Sequence, residues 1–137
     1  MKILIMGLSG SGKTTLARNL VKVLETANHT ITYLNADSVR ELSDDWDFSY
    51  DGRIRQAQRM VNYANESKND YIIMDFICPL EETRNIVKAD FTIWMDTIDK
   101  SVYHDTDALF EKPDNVNIKI DDFDYTIDDI VSKISYK

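Results

Sequence analysis

Cysteine is nearly missing from this chain of 137 residues, where Cys78 stands alone. An internal disulfide is excluded, and a reducing compartment fits. Histidine is almost as scarce. His29 and His104 lie far apart with no partner at metal-ligand spacing, so both read as surface residues. Positive charge is in deficit: 16 lysines and arginines face 24 acids, for a formal net charge of −8. Proteins that wrap duplex nucleic acid carry a basic footprint, so no nucleic-acid partner is expected. A small anionic substrate stays open, because a few local arginines suffice to hold one. No apolar run is long enough to span a bilayer, and the first residues lead straight into an apolar strand without a signal-peptide pattern. The expectation is a soluble cytoplasmic protein with no membrane partner. Repeats, low-complexity stretches and composition breaks are also missing, so 1–137 reads as a single domain.

Glycine is the informative scarcity. Of four glycines, three (Gly7, Gly10, Gly12) fall in one stretch, Gly7-Leu8-Ser9-Gly10-Ser11-Gly12-Lys13-Thr14-Thr15. The stretch fits G-x-x-x-x-G-K-[ST]. Backbone N–H groups that wrap a phosphate chain need positive φ and room for the ligand, and glycine supplies both. Gly7, Ser9, Gly10, Ser11, Gly12, Lys13, Thr14 and Thr15 are therefore the candidate nucleotide-binding residues. Lys13 reaches the β- and γ-phosphates in such loops, and the Thr14 hydroxyl meets Mg²⁺. The flanks agree. Lys2-Ile3-Leu4-Ile5-Met6 suits a strand buried on both faces. Leu16, Leu20, Val23 and Leu24 recur at helical spacing over about 13–26. Strand, glycine loop and helix aim a helix N-terminus at an anion.

The rest of the chain alternates strand and helix. Residues 31–34 read as strand two, which ends at Asn35-Ala36-Asp37-Ser38-Val39-Arg40, beyond the sheet edge where ligands bind. Residues 43–50 read as an acidic, aromatic loop. Asp51 is the expected cap of a helix over about 52–66, with Arg53, Arg55 and Arg59 crowding its first half. Cations there oppose the helix dipole and make more sense beside an anion. Tyr71-Ile72-Ile73-Met74-Asp75 reads as strand three; its terminal acid suits a Mg²⁺-side role, although many buried strands end in Asp. Pro79 opens a helix of about 80–88, residues 91–95 are strand four, and 97–112 reads as irregular. Val116, Ile118 and Ile120 alternate with polar residues as a fifth strand near an edge. A capping-box-like start at Thr126 opens a last helix to about Ile134. The expected class is α/β, with a mostly parallel five-stranded sheet and helices on both faces.

These residues resemble the adenylylsulfate kinases, which move the γ-phosphate of ATP to the 3′-hydroxyl of adenylyl sulfate. The glycine loop is close to that family's wording. The family's Asp-Gly-Asp-Asn-Val-Arg is similar to Asn35-Ala36-Asp37-Ser38-Val39-Arg40, and its Gly-Phe-Ser to Asp47-Phe48-Ser49. Its Phe-Ile-Ser-Pro matches Phe76-Ile77-Cys78-Pro79, and its Tyr-Glu-Pro-Pro-Glu-Asn resembles Phe110-Glu111-Lys112-Pro113-Asp114-Asn115. The resemblance implies a three-layer P-loop kinase fold, with ATP and Mg²⁺ as cofactors and adenylyl sulfate as the small-molecule partner. It implies that Lys13 and Asp37 are catalytic, Asp37 accepting or orienting the proton of the attacking hydroxyl. It implies an acceptor site of Arg40, Phe48, Arg53, Gln56 and Ile77, and metal-side oxygens from Thr14, Asp37 and Asp75. Members of that family often pair into homodimers; no stretch of this sequence marks a pairing surface.

Two departures stand out. The family's first Asp is Asn35 here, and Asp75 occupies a place where the family usually has a small residue, so one acid is expected to replace the other. The family's long basic lid after strand four is missing: between Thr97 and Phe110 there are only about a dozen residues, with Lys100 the one lysine and no arginine. A slow or altered kinase is expected. Two other functions stay open: a P-loop kinase for another small hydroxyl (nucleoside, nucleotide or sugar), and a nucleotide-binding module with little turnover.

Overall fold

The computed structural model describes residues 1–135. β1 (Lys2–Met6) is apolar on both sides because both sides are covered. Ile3 and Ile5 face a core formed with Leu16, Ala17, Leu20 and Leu24 of α1 (Lys13–Thr26) and Ile130 and Ile134 of α6 (Ile127–Ser135). Leu4 and Met6 face the opposite core, with Val39 of α2 (Ala36–Ser43), Ala57, Met60 and Ala64 of α3 (Tyr50–Glu66), and Val87 of α4 (Glu81–Val87). Period-2 alternation in the strand thus meets period-3.6 stripes on helices of two layers. Trimming a fully buried stripe residue such as Leu20 to alanine costs ~2–5 kcal/mol.

The other strands are β2 (Ile31–Asn35), β3 (Tyr71–Asp75), β4 (Phe91–Met95) and β5 (Ile118–Ile120). Their order across the sheet is β2-β3-β1-β4-β5, and every neighbouring pair is parallel. All strands therefore point their C-terminal ends, and the loops that follow, at one edge. β1 lies at the centre, so its glycine loop is flanked by the ends of β3 and β4. The register sets Asn35 beside Asp75 and Asp75 beside Ile5.

Several elements differ from the sequence expectation. The segment after β2 is a helix, α2. Asn35 caps it by accepting a hydrogen bond from the Ser38 N–H at 3.1 Å. The segment lacks an apolar stripe, so nothing but the cap announces it. Ser49, and not Asp51, caps α3: its hydroxyl accepts from the Gly52 N–H at 3.2 Å, and Asp51 falls in the first turn. A six-residue helix, α5 (His104–Leu109), interrupts the stretch expected to be irregular. Val116 precedes β5, half-buried at the margin of the second core.

Candidate active site

The glycine loop joins β1 to α1 with positive φ at Gly7, Gly10 and Gly12. At Gly7 the need is also steric. A Cβ there would lie 2.5 Å from the Met95 carbonyl oxygen and 2.8 Å from Ser11 Oγ. Ser11 is fully buried, and its hydroxyl has no hydrogen-bond partner among the described residues. Lys13 opens α1 and folds back over the loop, donating from Nζ to the Leu8 carbonyl at 2.9 Å. Burial pushes the Lys13 ammonium below its ordinary value, while the charges of Asp75 and Asp37 pull it back up. Ser9 is half-buried, and Gly10 and Thr15 are exposed along the outer side of the loop.

Asp75 ends β3 next to the loop. One carboxylate oxygen, Oδ2, accepts three hydrogen bonds: from Thr14 Oγ1 at 2.6 Å, Tyr33 Oη at 2.8 Å and Asn35 Nδ2 at 3.0 Å. Tyr33 and Asn35 sit two apart on β2, so both present to this face. Burial and the adjacent Asp75 push the Tyr33 phenol up to about 12. Asn35 joins two parts of the site: its amide holds Asp75, and its carbonyl caps the helix that carries Asp37 and Arg40. Thr14 and Asp75 offer Mg²⁺ the hard oxygens it prefers, with exposed Asp37 in the first turn of α2. Among the described residues no three His, Cys, Asp or Glu side chains cluster as a metal site, so a cation here would take its remaining ligands from phosphate and water.

Across α2 lies a second constellation. Phe48 is half-exposed, with the Arg40 guanidinium 4.3 Å and the Arg53 guanidinium 5.6 Å from its ring centroid. Arg40 donates to the carbonyls of Asp45 and Asp47 at 2.9 and 3.2 Å. Arg53 donates to the Phe48 carbonyl at 2.9 Å and to Thr106 Oγ1 of α5 at 3.0 Å. Both arginines are buried, and burial lowers both from the usual guanidinium value. Among the described residues neither forms an ion pair with a carboxylate; those pairs belong to Arg55 and Arg59, which grip Asp45 and Asp47. Two buried cations beside an exposed ring suit a ligand that joins an oxyanion to a planar group.

The predicted site residues thus converge on one sheet edge, in two groups. Gln56 is the exception. It is fully buried, donates from Nε2 to the Ala36 carbonyl at 2.8 Å, and accepts from Arg59 on Oε1. It ties α2 to α3 from below. Ile77 is half-buried just past β3, and its carbonyl accepts from the Gly7 N–H at 3.4 Å. Sequence reasoning missed Tyr33, Asp45, Gly52 and Thr106. The alternation of Tyr33 with Asn35 was the only signal for the first. Gly52, the fourth glycine, carries no positive-φ requirement; a Cβ on it would collide with the Asp47 carbonyl. That fixes the loop against α3.

A central β1 that runs through a glycine loop into α1, in a parallel 2-3-1-4-5 sheet, defines a P-loop α/β protein. Within that class, the model of the family described as adenylylsulphate kinase matches residues 1–120, and the chain belongs to that family. It is 42% identical over 86 residues to an adenylyl-sulfate kinase of Chloroflexus aurantiacus, spanning 61% of this chain and 46% of that protein. It is 36% identical over 89 residues to one of Bacillus pumilus, spanning 63% of this chain and 45% of the relative. The chain therefore matches about half the length of these curated relatives. It is also 34% identical over 62 residues (45% of this chain, 36% of the relative) to a cytidine diphosphoramidate kinase of Campylobacter jejuni. The APS kinase CysC of Mycobacterium tuberculosis, solved with AMPPNP and APS, superposes with a TM-score of 0.79 over 98% of this chain and 95% of that one, at 20% identity. A hexameric APS kinase from Thiobacillus denitrificans gives 0.75 at 29% identity, over 98% of this chain and 28% of that one. No helix among the described residues is long and apolar enough to cross a membrane.

Proposed function

We propose that the chain is an ATP-dependent kinase that transfers the γ-phosphate to the 3′-hydroxyl of adenylyl sulfate, giving phosphoadenylyl sulfate and ADP. One observation carries the acceptor: two buried guanidiniums, free of carboxylate partners among the described residues, flank an exposed Phe48. A purine stacks on such a ring, and guanidinium forks take the oxyanions of a phosphosulfate. The relatives named adenylyl-sulfate kinase support the same acceptor.

The glycine loop, Gly7 to Thr15, and Lys13 hold the triphosphate. Asp37, exposed at the start of α2, takes the proton of the acceptor hydroxyl as its oxygen bonds to the γ-phosphorus. The bond from that phosphorus to the β-bridging oxygen breaks, and ADP leaves. Thr14, Asp75 and Asp37 would hold Mg²⁺, which supplies charge neutralisation on the phosphate oxygens when bound. Asp75 would do so with its orientation set by Tyr33 and Asn35. Gln56 serves the acceptor site at one remove, through the backbone of Ala36.

The similarity to a cytidine diphosphoramidate kinase favours one rival, a P-loop kinase for another hydroxyl on a nucleotide-like acceptor. An assay with labelled ATP against adenylyl sulfate, nucleosides, nucleotides and sugars decides between them. Label in phosphoadenylyl sulfate is the expected result. Transfer to another acceptor and none to adenylyl sulfate reverses the order. ATP binding without Mg²⁺-dependent ADP release for any acceptor leaves a nucleotide-binding module.

A further inference from the structure

On the face of the sheet that carries α2, α3 and α4, the cover over β4 is made by an irregular stretch, residues 110–117. Its upper part is closed. Phe110 stacks on Trp94 with ring centroids 6.3 Å apart, and Arg84 of α4 donates to the Glu111 carbonyl and lies 5.4 Å from the Phe110 centroid. Toward the start of β4 the two sides part. α4 ends at Val87, Lys88 turns the chain with φ at 48°, and small Ala89 leads back toward the strand. A cavity of about 400 Å³ is left between α4 and the stretch 113–116. Small-molecule sites have volumes of about 300–1,000 Å³.

The floor of the cavity is apolar, formed by buried Leu4 and Met6 of β1 with Val116 beside them. One position breaks the alternation of β4. Thr92 shares the inward face with Trp94, where an apolar side chain is expected, and it lines the cavity. Its backbone is satisfied by Asn117, at 2.8 Å on the N–H and 3.0 Å on the carbonyl, while its hydroxyl has no hydrogen-bond partner among the described residues. Charge then selects the ligand. Acids outnumber bases by 24 to 16 in the chain, yet Arg84 and Lys88 line the cavity and no acid does. Among the described residues neither cation forms an ion pair with a carboxylate. Arg84 donates from Nε and Nη2 to backbone carbonyls, which fixes the guanidinium and leaves Nη1 free of a partner among those residues. None of the lining residues belongs to the phosphate, metal or acceptor groups.

We propose that this cavity is a second binding site, for a small amphipathic organic anion. A short apolar body lies on Leu4, Met6 and Val116, and removal of its surface from water drives binding. A carboxylate, sulfate or sulfonate head meets Lys88 and Arg84 in charge-assisted hydrogen bonds. The Thr92 hydroxyl gains a partner when that head is bound. The site does not rest on the kinase reading: a chain inactive on adenylyl sulfate can fill it, and an active one can leave it empty.

Octane-1-sulfonate is the probe, with octan-1-ol as its neutral counterpart, and methyl NMR of the full chain is the readout. One-to-one binding is expected, with a Kd of about 1 mM or tighter, the reach of so small a ligand. The Ala89 and Thr92 methyl signals move, the Gly10 and Gly12 amides do not, and saturating ATP leaves the Kd unchanged. Octan-1-ol binds about tenfold or more weakly, and Lys88→Gln weakens the sulfonate by a similar factor, the scale of one charge-assisted hydrogen bond. Ala89→Phe fills the space and abolishes binding while ATP still binds. Should that variant not fold, the exposed Lys88→Gln carries the test alone. No methyl shift well above the expected Kd overturns the proposal, as does displacement of the sulfonate by ATP. Equal affinity for the alcohol and the sulfonate, unchanged in Lys88→Gln, overturns it too, since the cavity then reads apolar surface and no charge.

Discussion

Asp75 gathers on a single oxygen the hydrogen bonds of Thr14, Tyr33 and Asn35. Each donor fixes the carboxylate further, and hydrogen bonds to charged groups contribute about 1.5–3 kcal/mol apiece. Asp75→Asn removes the charge and half of the accepting capacity. We expect Mg²⁺-dependent turnover to fall by about 10²-fold, the loss typical when groups that orient a metal site are removed. Initial rates across a Mg²⁺ series measure it, and unchanged rates would end the idea that this acid stands in for the one missing at Asn35. Tyr33→Phe is milder in turnover: the charge stays and one hydrogen bond to the carboxylate is lost, about 1.5–3 kcal/mol in a urea melt. The glycine loop, Lys13 and Thr14 were legible because their geometry is encoded within nine consecutive residues. Asp75 was half-legible, as an acid closing an apolar strand. Tyr33 was not, because its partner lies 42 residues away and only the β2–β3 register brings them together.

At the scale of elements, the decisive join is between α3 and the loop 44–49 that carries Phe48. Gly52 lets the loop carbonyl of Asp47 lie on the helix with no room for a Cβ. Gly52→Ala gains helix propensity of about 1 kcal/mol, yet forces an overlap with backbone that costs ~1–3 kcal/mol. The expected outcome is lower stability and a raised acceptor KM, with the KM for ATP unchanged; steady-state kinetics in both substrates reads the split. Arg55 and Arg59 tie the same loop down through Asp45 and Asp47. Ser49 and then Arg55 hold the Asp47 carboxyl down to about 2, from an ordinary 3.8. Arg55 and Arg59 hold Asp45 lower still. Because the folded values lie below the unfolded ones, this stabilisation is full above about pH 4 and is lost as pH falls toward about 2. Melting temperatures from pH 5 to 2 should drop steeply in the parent chain and less so in Arg55→Ala. None of this could be read from spacing alone. The arginines after Asp51 were visible as a crowd, but which ones hold the loop and which face Phe48 is decided by tertiary contact.

For the molecule as a whole, alternating strand and helix signals were enough to give the sheet and its two covered faces. Such periodicity is averaged over many residues and survives local errors like the unannounced α2. The cover over the site is different, since it is defined by what the chain omits after β4. The segment that replaces it is short and fastened: Thr97 to the glycine loop, Thr106 to Arg53, and the Glu111 carbonyl to Arg84. Arg84 also lies over the Phe110 ring. A segment held at three points has little freedom to close, and it brings no arginine to the transferring phosphate. The loss of one preorganised cationic contact costs ~10²–10³ in rate. Water also has freer access to the γ-phosphate when no lid excludes it. The protein should therefore be slow and leaky. With ATP, Mg²⁺ and adenylyl sulfate, we expect more ADP than phosphorylated acceptor, the excess being ATP hydrolysed by water. Parallel measurement of ADP and product gives the ratio directly. A ratio near one would mean that the short segment, with Phe48 and the buried arginines, already shields the phosphate, and that the length of a lid is not what keeps water out in this fold.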